Sequence, residues 1–318
     1  MIEVENLTKF YGPRPAIKGI TFKVNKGEVV GFLGPNGAGK STTMNILCCI
    51  LPASSGSAKI CGYDVFEESL EVRKKIGYLP ETPPLYPDMS VSGYLKFAAE
   101  IRRVPSNKVR AAVDRVLEKC VLQDVRERII GRLSKGFQQR VGLAQSMIHD
   151  PEILILDEPT IGLDPIQIIE IRKLIQELAN AHTIILSSHI LPEITQICKR
   201  VIILNEGEIA AVDSLEGLTS SLNKSERFVL KVRKSQRDIQ EKLRTLENVI
   251  SVTAENETQF LVECEMNSEM QDEVARMALE NSWGIEELKL VSMTLEEIFL
   301  HLTLEENEPD EVSKGVGT

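Results

Sequence analysis

Aromatic residues are scarce, at 5% of 318 positions, and there is a single Trp. The six cysteines, Cys48, Cys49, Cys61, Cys120, Cys198 and Cys264, show no CxxC spacing, and none sits near a His in a metal-ligand pattern. This leaves them as free thiols buried in a reducing cytosol. No stretch approaches the ~18 consecutive apolar residues that a membrane-spanning helix needs. The opening MIEVENLTKFYG lacks a basic segment followed by an apolar one, so no signal peptide is expected and the chain is expected in the cytoplasm. Positive charge is in deficit, with 37 Lys and Arg against 47 Asp and Glu and a net charge of −10. That balance argues against nucleic acid as the main partner, because phosphate backbones are bound by basic surfaces.

What is present suffices for a sizeable core: 42% of residues are hydrophobic, and the length suits one large domain plus a smaller one. Residues 1–25 alternate apolar and polar, with Ile2, Val4 and Leu7 and then Ile20, Phe22 and Val24 on one face, which predicts antiparallel strands. EVVGFL (28–33) is a short apolar run into a Gly-rich loop, and a helix is expected over 42–50. Runs at 153–156 and 183–187 are continuously apolar, as strands of a parallel sheet covered on both faces must be. Between them, residues 165–179 repeat apolar positions at helical spacing. Residues 91–130 carry several helices and read as a helical insertion.

A boundary is expected at SLEGLTSSLNK (214–224), where Ser, Gly and Asn cluster. Beyond it the predicted order is strand (228–233), helix (235–247), strand (249–255), strand (259–265), helix (268–282) and strand (285–291). That β-α-β-β-α-β order predicts a ferredoxin-like unit. A short helix over 294–302 follows, and the acidic tail LEENEPDEVSKGVGT is expected to be disordered.

Two motifs carry chemistry. GPNGAGKS sets Gly34, Pro35, Asn36, Gly37, Ala38, Gly39, Lys40 and Ser41 in the G-x-x-x-x-G-K-[ST] spacing, between a predicted strand and a predicted helix. Glycines let the backbone N–H groups turn inward on a phosphate, and the helix that opens there adds its positive end. Lys40 would reach the β- and γ-phosphates, and Ser41, followed by Thr42, would give Mg²⁺ a hydroxyl ligand. The second motif, ILILDEP (153–159), ends a buried strand in two carboxylates. Asp157 can hold Mg²⁺, and Glu158 can polarise a water for in-line attack on a γ-phosphate.

LSKGFQQR (133–140), just upstream of ILILDEP, resembles the signature motif of ATP-binding cassette (ABC) ATPases. The resemblance covers residues 1 to about 215, with the motifs in that family's order. It implies an α/β P-loop fold: a mixed sheet core with an antiparallel β subdomain and a helical subdomain. It implies a cassette over 1–218, with the helical part over about 82–145; the element order beyond places the small α+β domain at 225–304 and the composition places the disordered tail at 305–318. It implies that Tyr11 stacks on adenine and that Ser134 and Gly136 bind the γ-phosphate held by an opposite subunit. Asp164, in GLDP, would cross the dimer interface. His189, after the strand TIILSS, would contact the γ-phosphate and hold Glu158 and water. His149, His182 and His301 match no motif and read as structural.

The sequence departs from the family pattern twice. The signature reads LSKGF where LSGGQ is usual, but it keeps Ser134 and Gly136. Glu81, in GYLPE, stands where Gln is usual and would bring a negative charge toward the γ-phosphate; it is either a Mg²⁺ ligand or a hinge. One phosphate loop per chain implies a nucleotide-sandwich dimer with a second copy or a close relative. The leading expectation is the ATPase subunit of a transporter, an exporter of the type related to drug-resistance and gliding-motility ATPases. It would drive a separate permease docked on residues 82–101 from the inner face of the cell membrane, with Leu85, Tyr86, Met89 and Tyr94 as candidate contacts. An importer subunit is the runner-up. The alternative from another class is a soluble ABC-type regulator acting on ribosomes, DNA repair or iron–sulfur assembly.

Overall fold

Alternation over the first two dozen residues becomes an antiparallel pair, β1 (Ile2–Tyr11) and β2 (Arg14–Val24), with Ile2, Val4, Leu7, Ile20, Phe22 and Val24 all buried. The computed structural model describes residues 1–188, 191–222, 225–234, 238–266, 269–291 and 294–304. The described chain divides into two compact units, one of residues 1–215 with 302–304 and one of residues 216–301.

In the first unit, β3 (Val29–Leu33) leads through the Gly-rich loop into α1 (Lys40–Leu47). This helix starts two residues before the expected 42 and ends three before 50. It stops because Cys48 caps it and Cys49 takes a left-handed φ of 57°. The strands β4 (Ser55–Ile60) and β5 (Tyr63–Asp64) extend the antiparallel sheet to the order β2-β1-β4-β5. Next come α2 (Ser69–Lys75), β6 (Ile76–Leu79) and the helical segment, α3 (Val91–Ile101), α4 (Ser106–Lys119) and α5 (Lys135–Ser146). The unit is completed by β7 (Ile153–Leu156), α6 (Pro165–Leu178), β8 (Thr183–Ser187), α7 (Leu191–Ile197), β9 (Arg200–Asn205) and β10 (Glu208–Ser214). The second sheet runs β10-β9-β3-β8-β7-β6, parallel except for the β9–β10 pair. Every residue of β7 and β8 is buried, as two-sided coverage requires. Phe22 and Phe32 stack with centroids 5.6 Å apart in a core shared by both sheets.

The stretch read as a boundary cluster forms a helix, α8 (Leu215–Leu222). The second unit then holds β11 (Ser225–Val232), α9 (Ile239–Leu243), β12 (Val249–Ala254), β13 (Gln259–Glu265), α10 (Met270–Glu280), β14 (Ile285–Leu290) and α11 (Leu295–Leu304) up to His301. Its sheet is antiparallel throughout, ordered β12-β13-β11-β14, around a core centred on Trp283 and Phe228. The expected helix over 235–247 is shorter, and residues 235–237 lie outside the described residues. The tail over 305–318 also lies outside them. Among the described residues no helix is long and apolar enough to cross a membrane.

Candidate functional site

Three parallel strands aim the site. The sheet places β3, β8 and β7 side by side, so the loops after their C-terminal ends share one edge, where open α/β sheets bind ligands. After β3 comes the loop Gly34–Gly39. Gly34, Gly37 and Gly39 adopt φ of 156°, 85° and 103°. At Gly39 a Cβ would lie 2.6 Å from Ala16 O, and at Gly34 one would lie 2.5 Å from Leu204 O, so both the backbone turn and its close packing require glycine. Pro35, Asn36 and Gly37 are exposed, whereas Ala38 and Gly39 are buried. No side chain caps α1, so its first N–H groups are left for a ligand. Ser41 is exposed and Thr42 half-buried at its first turn, while Thr43 turns inward to donate to Gly39 O at 2.9 Å.

Lys40 is buried, and its Nζ folds back on the loop, donating to Gly34 O at 2.8 Å and Pro35 O at 3.1 Å. Burial lowers its pKa, against the opposing pull of Glu158, Asp157 and Glu81, in that order. The charges at 81, 157 and 158 are therefore all felt at one ammonium group. A buried lysine under the charge of these carboxylates suits a polyphosphate with a divalent cation: Ser41 and Asp157 could meet the cation, and Lys40 and free N–H groups the phosphates, although among the described residues no three acidic, His or Cys side chains cluster closely enough to hold a metal by themselves.

Asp157 and Glu158 follow β7 and are 3% and 7% exposed. The β7–β8 register, Leu156 opposite Leu186, carries Ser187 to the same level. There Ser187 Oγ donates to Asp157 Oδ1 at 2.6 Å and accepts from Glu158 N at 2.9 Å. Glu158 sits at φ 48°, a left-handed backbone that a residue with a side chain adopts at a cost and that marks functional turns. Sequence reasoning missed Ser187, because a serine at a strand end carries no spacing signal.

The other predicted residues are placed as follows. Tyr11 ends β1, half-exposed, with Lys9 Nζ 5.6 Å from its ring centroid. Glu81 is exposed after β6 and lines a cavity of about 320 Å³ with Lys135, Gln138 and Gln139. Ser134 caps α5, its Oγ accepting from Phe137 N at 3.5 Å. Gly136 is buried, and a Cβ there would meet the Gln167 side chain at 2.7 Å. Asp164 caps α6, accepting from Gln167 N at 2.9 Å. Among the described residues no hydrogen bond or ion pair joins 134–136 to the loop 34–41 of the same chain. His189 lies outside the described residues.

The family model for the ABC transporter matches residues 17–161. The chain is 40% identical over 211 residues to the bacitracin transport ATP-binding protein BcrA of Bacillus licheniformis, covering 66% of this chain and 68% of that one. It is 30% identical over 305 residues to the linearmycin resistance ATP-binding protein LnrL of Bacillus subtilis, covering 95% of this chain and 98% of that one. Among solved structures, a dimeric ATP-binding cassette in a post-hydrolysis state bound to ADP and Pi matches with a TM-score of 0.62 at 26% identity, over 68% of this chain and 99% of that one.

Proposed function

Because the chain belongs to the ABC transporter family and is an ATPase subunit of it, we propose that it hydrolyses MgATP as a head-to-tail dimer and drives export through a separate permease. The glycine loop folded on Lys40, with the Ser187-bonded pair Asp157 and Glu158 at the same edge of the sheet, carries the reading. With ATP in place, Lys40 exchanges the carbonyls of Gly34 and Pro35 for the β- and γ-phosphates. The N–H groups from Gly37 to Thr42 wrap the phosphates. Ser41 and Asp157 would hold Mg²⁺, with Glu81 as a further ligand, and the ion would supply neutralisation of phosphate charge. Glu158 takes a proton from the attacking water, and His189 steadies the γ-phosphate. Tyr11 offers a half-exposed ring to adenine.

Ser134 and Gly136 serve the nucleotide of the opposite copy, and Asp164 lies at the interface between copies. Their lack of any bond to their own phosphate loop supports this division. The names of the bacitracin and linearmycin relatives support export. The chain works as a peripheral subunit on the inner face of the cell membrane. The permease docks on residues 82–101, where Tyr86 is half-exposed and stacks against Tyr94 and Phe97 at 5.9 and 5.5 Å. Tyr94, expected as a contact, is 4% exposed and supports Tyr86 from behind. A ferredoxin-like reading of residues 225–304, beyond a cassette of about 1–218, is supported by the element order and the strand order β12-β13-β11-β14.

Steady-state turnover, equilibrium nucleotide binding and size-exclusion runs with ATP test the core of this reading. Lys40→Ala should lose nucleotide binding. Glu158→Gln should keep it, lose hydrolysis by at least about 100-fold and elute as a dimer. Substantial turnover in the Glu158→Gln protein would remove Glu158 as the base.

A further inference from the structure

One buried carboxylate beside the site has no part in this chemistry. Glu193, on α7, is 6% exposed. Its Oε2 accepts a hydrogen bond from Thr160 Oγ1 at 2.6 Å and a longer one from Ser188 Oγ at 3.4 Å. Its Oε1 is buried with no partner among the described residues. A carboxylate in such a place is costly to desolvate, and an apolar side chain would fill the space at less cost. What it supplies instead is a short, charge-assisted hydrogen bond between two segments that leave neighbouring strands.

Those segments carry the hydrolytic groups. Thr160 stands two residues beyond Glu158 in a turn closed by Ile161 N donating to Glu158 O at 3.2 Å and Leu163 N donating to Thr160 O at 3.2 Å. Anchoring Thr160 therefore anchors the turn that contains the Glu158 carbonyl. Ser188 adjoins His189 in the chain. Ser187 makes a first bridge between the same two segments through Asp157 and Glu158, and Glu193 makes the second. Asp157 N also donates to Leu79 O at 2.8 Å, so the strand end before Glu158 is held from both sides, while the turn beyond it is held to the neighbouring segment through Thr160 and Glu193. Glu158, at φ 48°, lies between these anchors, so loosening the one at Thr160 would change its direction. Among the described residues no hydrogen bond or ion pair joins Glu193 to the loop 34–41.

We propose that Glu193 is a positioning residue for hydrolysis: through Thr160 it fixes the turn bearing Glu158 against the segment that follows β8, and so sets turnover without contributing to nucleotide affinity. The inference rests on Glu158 as the base. A misplacement of about 1 Å can cost about 100-fold in rate.

The test uses the full chain with Thr160→Val, Thr160→Ser, Glu193→Ala and the Thr160→Val/Glu193→Ala pair, measuring kcat and nucleotide Kd for each. Thr160→Val keeps the shape of the side chain and removes the donor; Thr160→Ser keeps the donor. Thr160→Val and Glu193→Ala should each lower kcat by roughly 10-fold or more with Kd unchanged. The pair should be no slower than Glu193→Ala alone, because both remove one interaction. Thr160→Ser should turn over like the unaltered chain. The inference is overturned if Thr160→Val turns over at the unaltered rate, if Thr160→Ser is as slow as Thr160→Val, or if Kd weakens in step with kcat. Should Glu193→Ala fail to fold, the Val and Ser variants of Thr160 still decide it. If the unaltered chain turns over and Glu158→Gln does too, the parent reading falls and takes this one with it.

Discussion

His149 Nε2 lies 2.9 Å from Ile76 O, a carbonyl that can only accept, so the proton is on Nε2 and Nδ1 is left buried without a partner among the described residues. A second proton would have nowhere to bond. Burial, seconded by the Arg102 charge, pushes the His149 pKa down to about 4, while the Ile76 carbonyl and Asp150 pull the other way and Arg115 adds to the lowering. The unfolded chain takes up this proton near pH 6.5 and the folded chain only near 4, so stability is full above about 6.5 and declines as pH falls between the two. The gap amounts to roughly 3 kcal/mol. Chemical denaturation at pH 7, 6 and 5 should show this decline, and His149→Gln should flatten it. This histidine was readable as structural because it matched no motif. Ser187, Thr160 and Glu193 were not readable: serine, threonine and glutamate are common on any surface, and only the β7–β8 register and the return of α7 bring these three together.

At the level of the element, the glycine loop was legible because its residues do something that few others can. Gly39 and Gly37 show two different reasons. Gly39 combines φ 103° with a Cβ position 2.6 Å from a backbone oxygen, so Gly39→Ala adds a collision to the strain. Gly37 at φ 85° has open space at that position, so Gly37→Ala adds strain alone. Denaturant melts should find Gly39→Ala less stable by about 2–3 kcal/mol and Gly37→Ala by about 1 kcal/mol, with nucleotide binding lost in the first and weakened in the second. The end of α1 was not legible. Its stop at Leu47 depends on Cys49 taking a left-handed backbone, with Ile50 N donating to Asn45 O at 2.9 Å, and cysteine announces no such turn. The strands β6, β9 and β10 escaped notice for a related reason. Their apolar stretches, IGYL, VIIL and IAAV, are four residues each, too short to separate strand from helix.

Across the whole molecule, charge is distributed unevenly. The chain carries −10 overall, yet Arg73, Arg102 and Arg103 stand together with no carboxylate partner among the described residues. Arg73 donates to Cys49 O at 2.7 Å and Arg102 to Arg73 O at 3.1 Å, so backbone carbonyls satisfy some of their N–H groups but leave the charge uncompensated. They line a cavity of about 610 Å³ with Ile50, Leu70 and Ile101, and that cavity shares Ile101, Arg102 and Gln145 with the one beneath Tyr86 and Phe97. The groove mixes apolar residues with these guanidinium groups, and its one carboxylate, Glu71, is already paired with Lys74, so it suits an amphipathic helix that carries carboxylates, since Arg pairs with them in a bidentate fashion and gains most where water is thinned. If the permease docks along residues 82–101, its cytoplasmic helix should present acidic residues to this edge. Arg103 is exposed and lies outside the nucleotide machinery, so reversing its charge separates docking from hydrolysis. Arg103→Glu should cut recovery of the permease with the chain from detergent-solubilised membranes by roughly 10-fold, the loss of one desolvated charge pair. Nucleotide Kd of the chain alone should stay as it was. Undiminished recovery would place the contact elsewhere on the segment, and replacing the permease's own acidic residue by Lys alongside Arg103→Glu should restore the complex if this edge is the one it uses.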